Sequence, residues 1–262
     1  MDNEQIIKGK NVSEVWARAY YYVHTSIGHE ASPLIICIEP ESPESPEEDM
    51  NIRKQLDGAL LEVSKITKKP PLSVETVANT IFPKNLWNPH LGREMLYERY
   101  RRIWPMISKC KRNNLGVYFQ RMIAYESHNG AAPMNQLEHI IHAYGKNVHR
   151  RSALQINIFN PGTDHSIKPY LSFPCLANVA FVPKGDALTV SGYYPVQSIF
   201  ERGYGNYLGL IHLGHFVASE MGLRLTKVIC NANVALRGNE RRKEVTPIYN
   251  RLHRFTEQYT QA

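Results

Sequence analysis

The stretch SFPCLANVAF, Ser172 to Phe181, decides how the second half of the chain is read. With its flanks it runs YLSFPCLANVAFVP, an apolar run of strand composition, and the turn-like KGD joins it to a second strand, ALTVSGYY. Cys175 stands directly after Pro174. Free cysteine behaves as a small hydrophobe and is common in cores, so Cys175 reads either as strand filling or as a nucleophile.

After this hairpin, NYLGLIHLGHFVASEMG has apolar residues at helical spacing and ends on Gly222, which predicts a mostly buried helix with a left-handed cap. TKVICNANVAL predicts a final strand, and ALQINIFN an earlier one. Before these, VSEVWARAYYYVHTSIG reads as a helix and SPLIICIEP as a short strand. EPESPESPEEDMN, with Pro40, Pro43 and Pro46 among repeated glutamates, reads as an exposed acidic loop. Leu56 to Ile66 is helical, KKPP breaks it, and SVETVANTIF begins another helix with Ser73 as N-cap. GREMLYERYRRIWPMISKCKRNN, punctuated by Pro105, and NQLEHIIHAYGKN are two more helices. The pattern predicts an α/β chain of the α+β type, a sheet flanked by helices.

Composition narrows the classes of function. A chain of 262 residues with 43% hydrophobic content is long enough to bury a sizeable core. No eighteen-residue apolar run and no apolar leader are present, which predicts no membrane span and a cytoplasmic location. The four cysteines, Cys37, Cys110, Cys175 and Cys230, form no CxxC pair and are expected as free thiols rather than zinc ligands. A net charge of +7 suits phosphate-bearing ligands. KCKR and RGNERRK add a nucleic-acid reading, but neither has interleaved aromatics or a known motif, and it ranks last.

The ordered blocks LGVYFQRM, NQLEHIIHAYGKN, HRRSALQINIFN, SFPCLANVAF, YGNYLGLIHLGHFVASEMGL and VICNANVA give the chain a resemblance to the thymidylate synthase and pyrimidine hydroxymethylase superfamily over roughly Glu75 to Ala235. The resemblance implies a thymidylate synthase-like mixed sheet over residues 71–262, with residues 1–70 as an N-terminal extension packed on that core. It aligns Cys175 with the family's catalytic cysteine, whose thiolate adds to C6 of a pyrimidine so that C5 can attack a one-carbon donor. That donor is methylenetetrahydrofolate in the family. A thiol of pKa about 8.5 is only a few per cent ionised at neutral pH, so the reaction asks for a nearby cation such as arginine.

Further positions follow from the same resemblance. Arg150 and Arg151 match paired arginines that reach across a homodimer to the partner's substrate phosphate, and they read equally as a strand-edge salt-bridge pair. Asn206 matches an asparagine that recognises the pyrimidine's polar edge, or is a helix cap. Glu75 is the candidate for the glutamate that manages proton transfers, or a favourable charge in a first helical turn. Tyr118 matches a tyrosine near the nucleophile, or is a packed aromatic.

The departures fall on the substrate's two ends. Where the family has Arg-Ser-x-Asp, this chain has Pro195, Val196, Gln197 and Ser198, so the principal phosphate arginine is absent. Where it has Asp-Ala-His-x-Tyr, the chain has Asn231, Ala232, Asn233, Val234 and Ala235; Asn233 retains hydrogen-bonding capacity and Ala235 does not. Arg202, one turn before Asn206, is a further arginine within reach of a nucleotide. The expected substrate is therefore a modified pyrimidine or related heterocycle. The rival expectation is a catalytically silent subunit that lends Arg150 and Arg151 to an active paralogue.

Overall fold

The computed structural model describes residues 5–40, 48–113, 115–126, 132–147, 150–165, 167 and 174–260. The acidic stretch around Pro43 and Pro46, and the expected strand residues Tyr170 to Phe173, lie outside them.

In chain order the elements are β1 (Gln5–Gly9), α1 (Val12–Thr25), β2 (Glu30–Ala31), β3 (Leu34–Ile38), α2 (Met50–Thr67), α3 (Val74–Ile81), α4 (Gly92–Ile107), α5 (Tyr118–Ile123) and α6 (Gln136–Gly145). They continue with β4 (Gln155–Asn157), α7 (Pro161–Asp164), β5 (Asn178–Lys184), β6 (Ala187–Ser198), α8 (Tyr204–Met221), β7 (Arg224–Leu236) and α9 (Thr246–Thr256). The strands form one mixed sheet in the order β1-β3-β7-β6-β5-β4, with β2 paired to β7. β6 and β7 are parallel, and α8 makes the crossover between them. β1 and β3, from the first seventy residues, belong to this same sheet.

Local chemistry explains the helix boundaries. Asn11 caps α1 by accepting from the N–H groups of Ser13 and Glu14, and the Val12, Val15, Trp16, Ala19, Tyr20 and Val23 side chains form its buried face. The Ser73 hydroxyl accepts from the N–H of Thr76, which makes it the N-cap of α3 as the sequence predicts. α8 ends at Gly222 in the left-handed conformation, again as predicted. All four cysteines are free.

Strand alternation sorts the sheet into two faces. Ile36, Val179, Val190, Tyr194, Val228 and Cys230 point into the core beneath α1 and α8. The opposite face carries Ile6, Ile35, Ala180, Ser191, Tyr193 and Ile229, all half or fully exposed.

Two glycines set how closely α3 approaches α8. A Cβ on Gly205 would lie 2.5 Å from the Val77 Cβ, and one on Gly209 would lie 2.8 Å from the Ala78 carbonyl oxygen. Only glycine allows this contact, and it fixes the first turns of α8 against the core.

Besides the short β2, α5 and α7, which the sequence reading does not include, three elements differ from it. β1 is an additional strand, and the polar tail folds as α9, burying Ile248, Tyr249 and Leu252. β5 starts only at Asn178, so Cys175 belongs to the irregular segment that leads into it. Proline has no N–H for a ladder, and the N–H of Cys175 is bonded to a side chain instead.

Candidate active site

Cys175 lies just ahead of β5, where Ala177 already donates to the Tyr193 carbonyl of β6. Tyr118, the first residue of α5, reaches this segment from below. Its phenolic oxygen accepts from the N–H of Cys175 at 3.3 Å and of Leu176 at 3.5 Å. The thiol is open to solvent on one side and surrounded by protein on the others.

The charges around it oppose one another. Burial pushes the Cys175 thiol up, while the Arg202 guanidinium and the Tyr118 hydroxyl act to lower it, and burial wins. Burial raises Tyr118 to about 12, so its hydroxyl remains protonated and serves as a hydrogen-bonding group rather than a base. Tyr194, wholly buried on β6, stands near both groups, and its hydroxyl has no hydrogen-bond partner among the described residues.

Arg202 lies in the single wide helical turn, Ile199–Gly203, that precedes α8. Its side chain makes no hydrogen bond or ion pair with any described residue. One turn later, Asn206 is 2% exposed, and its amide also lacks a side-chain hydrogen bond to any described residue. Beside them Gln197 accepts from the Tyr207 hydroxyl at 3.3 Å and lies against the Cys230 thiol, which burial pushes to about 12.

The other sequence-derived residues stand elsewhere. Glu75, on α3, accepts from the Asn79 amide at 3.3 Å and lies 3.7 Å from the Arg53 guanidinium. Arg53 is shared with Glu48 and Asp57, so Glu75 belongs to an ion cluster on α2 and α3 and makes no contact with Cys175. Ser198 donates to the carboxylate of Glu201, whose other oxygen accepts from the N–H of Asn239 at 3.0 Å. Asn233 donates to the Tyr193 hydroxyl at 2.7 Å on the opposite face of the sheet. Arg150 and Arg151 are exposed in the turn before β4, without an ion-pair partner among the described residues.

The structure brings Cys175, Tyr118 and Arg202 within reach of one another and adds Tyr194, which has no sequence signal beyond its strand, while Asn206 lies one turn beyond Arg202. The arrangement offers a thiol and a cation that favours its ionised form. No known family model matches the chain, and a search of curated proteins finds no significant match.

Proposed function

We propose that the chain is an atypical relative of the thymidylate synthases, in which Cys175 activates a pyrimidine or related heterocycle for one-carbon transfer. The observation that carries this reading is that the charge of Arg202 acts on the Cys175 thiol, with the Asn206 amide one turn further along, neither side chain hydrogen-bonded to a described residue. An amide can read the adjacent N–H and C=O of a pyrimidine edge with its own acceptor and donor.

The chemistry begins with loss of the thiol proton to solvent, favoured by Arg202 and opposed by burial. The thiolate forms an S–C6 bond as the C5=C6 electron pair moves onto the C4 carbonyl, giving an enolate. C5 then attacks an electrophilic one-carbon donor, whose bond to its leaving group breaks with its electron pair as the C5–C bond forms; C5 gives its proton to solvent, and breaking the S–C6 bond releases the thiolate and restores the ring. Tyr118 holds the cysteine segment through two backbone N–H groups while this happens.

Methylenetetrahydrofolate, the donor implied by resemblance, finds no corresponding fit here. The C-terminal α9 and the turn Glu257–Tyr259 pack on α1, with Tyr259 reaching Asp49, and none of these residues lies at Cys175. No step is assigned to it.

A homodimer agrees with two features: a sheet face on which Ile6, Ile35 and Ile229 are half or fully exposed, and Arg150 and Arg151 ahead of its edge strand, without an ion-pair partner among the described residues. Ile229→Asp is expected to convert such a dimer to monomer in light scattering. The same arginines, with a thiol held protonated by burial, favour a second reading as a silent subunit that completes a paralogue's site. A stable homodimer with its own turnover contradicts that reading.

The direct test is mass spectrometry after incubating uracil, cytosine and their nucleosides and nucleotides with the chain in deuterium oxide. Exchange of the C5 hydrogen, which reversible addition of the thiolate at C6 brings about without a one-carbon donor, is expected with the native chain and not with Cys175→Ala. Undiminished exchange in that variant overturns the mechanism.

A further inference from the structure

The second half of α8 borders a cavity of about 410 Å³ that the Cys175 chemistry does not use. Its lining includes Lys84 and Trp87 from the segment after α3, His212 and His215 from α8, and Leu223 and Arg224 at the entry to β7. The volume is in the range of small-molecule pockets. His212 and His215, in its lining, are six and nine residues along α8 from Asn206, about 9 and 14 Å at the helical rise of about 1.5 Å per residue, and about 100° per residue turns them to another side of the helix. The two sites are separate.

The polar groups around this cavity are incompletely satisfied. Trp87 Nε1, His212 Nδ1 and His215 Nε2 are buried without hydrogen-bond partners, and His212 is only 6% exposed. These three residues line one cavity, and buried polar atoms without a partner among the described residues are unusual for a packed interior. Burial, with Lys84 adding to it, lowers His212 to about 3 and His215 to about 4, so both rings are neutral near pH 7. A neutral imidazole presents one donor and one acceptor.

The positive groups are graded in availability. Lys84 is exposed and makes no side-chain hydrogen bond or ion pair with a described residue, yet its charge reaches both histidines. Arg224 is engaged on one side by Asp186 at 2.9 Å. Trp87, Leu223 and Leu225 supply apolar wall. A mouth with one free ammonium, polar rings within and apolar walls between suits a ligand with one acidic group on a hydrophobic body.

We propose that this cavity is a second ligand site that takes a small organic anion, its carboxylate or phosphate at Lys84 and its apolar body between Trp87 and Leu223. Benzoate and phenyl phosphate are the probes, titrated into the full chain by calorimetry and by the imidazole NMR signals of His212 and His215. Saturable binding of either is expected, about tenfold weaker in Lys84→Met, lost in His212→Phe, and unchanged in Cys175→Ala. Binding of benzoate alone assigns a carboxylate ligand, and of phenyl phosphate alone a phosphate ligand. No saturation by either probe, equal affinity for inorganic phosphate, or full binding in Lys84→Met overturns the proposal. Lys84 is exposed, so that variant folds even if His212→Phe does not.

Discussion

The N–H of Cys175 donates to the Tyr118 hydroxyl at 3.3 Å, so one phenol from α5 holds the segment that enters β5. The same oxygen takes the N–H of Leu176 at 3.5 Å. Two N–H groups that a regular strand would place in its ladder are thereby committed to a side chain, and the cysteine stays out of the sheet.

Tyr118→Phe removes that acceptor while keeping the ring. The hydroxyl acts to lower the thiol, so its loss leaves less thiolate at neutral pH. A hydrogen bond of about 1 kcal/mol corresponds to a factor of about five. Alkylation of Cys175 by iodoacetamide, followed by peptide mass spectrometry, is expected to slow by about that factor.

Arg202→Gln tests the cation. A positive neighbour favours thiolate, and removing it moves the inflection of Cys175 alkylation to higher pH. Arg202→Lys keeps the charge and is expected to fall between the two. An unmoved inflection in Arg202→Gln means that the guanidinium does not act on the thiol.

Close packing of α3 on α8 is tested by two alanines with opposite expected effects. Gly205→Ala puts a Cβ 2.5 Å from that of Val77 and 2.7 Å from the Val74 carbonyl oxygen, and overpacking of this kind costs about 1–3 kcal/mol. Gly58→Ala, on the exposed side of α2 with nothing within 4 Å, is expected to stabilise by about 0.5–1 kcal/mol. Urea unfolding reads both.

What the sequence makes legible is local. Ser73 as a cap, Gly222 as a terminator and the apolar spacing of α1 and α8 are properties of a few consecutive residues. β1 is short and gains its meaning only from parallel pairing with β3, and the buried face of α9 is interrupted by charged residues. The site divides in the same way. Arg202 and Asn206 are one turn apart, which helical spacing reveals. Glu75 goes instead to Arg53 and Asn233 to Tyr193, partners 22 and 40 residues distant, and such pairings follow from packing that no local pattern encodes. The cavity beneath Trp87 is of this second kind: it exists because separate segments meet around α8.

The Arg121–Asp164 pair ties α5 to the turn after β4, and thus steadies Tyr118. The Arg121 guanidinium grips both carboxylate oxygens, at 2.8 Å for Nη2 to Oδ1, and also donates to the carbonyls of Leu115 and Ile158. The side chains are only 13% and 5% exposed. Burial works to raise the carboxyl of Asp164, but Arg121 and the N–H of Asn160 outweigh it and hold the group below its ordinary value. A carboxyl depressed in the folded state contributes fully above its unfolded pKa of about 3.9 and loses that contribution as the pH falls through the folded value. Asp164→Asn leaves a buried guanidinium without its counter-charge and is expected to cost about 3 kcal/mol at neutral pH. The gap between native chain and variant is then expected to narrow as the pH drops below about 4, because only the native carboxylate has charge to lose. Denaturant unfolding of both proteins across that range checks the sign, and a gap that widens in acid contradicts the assignment.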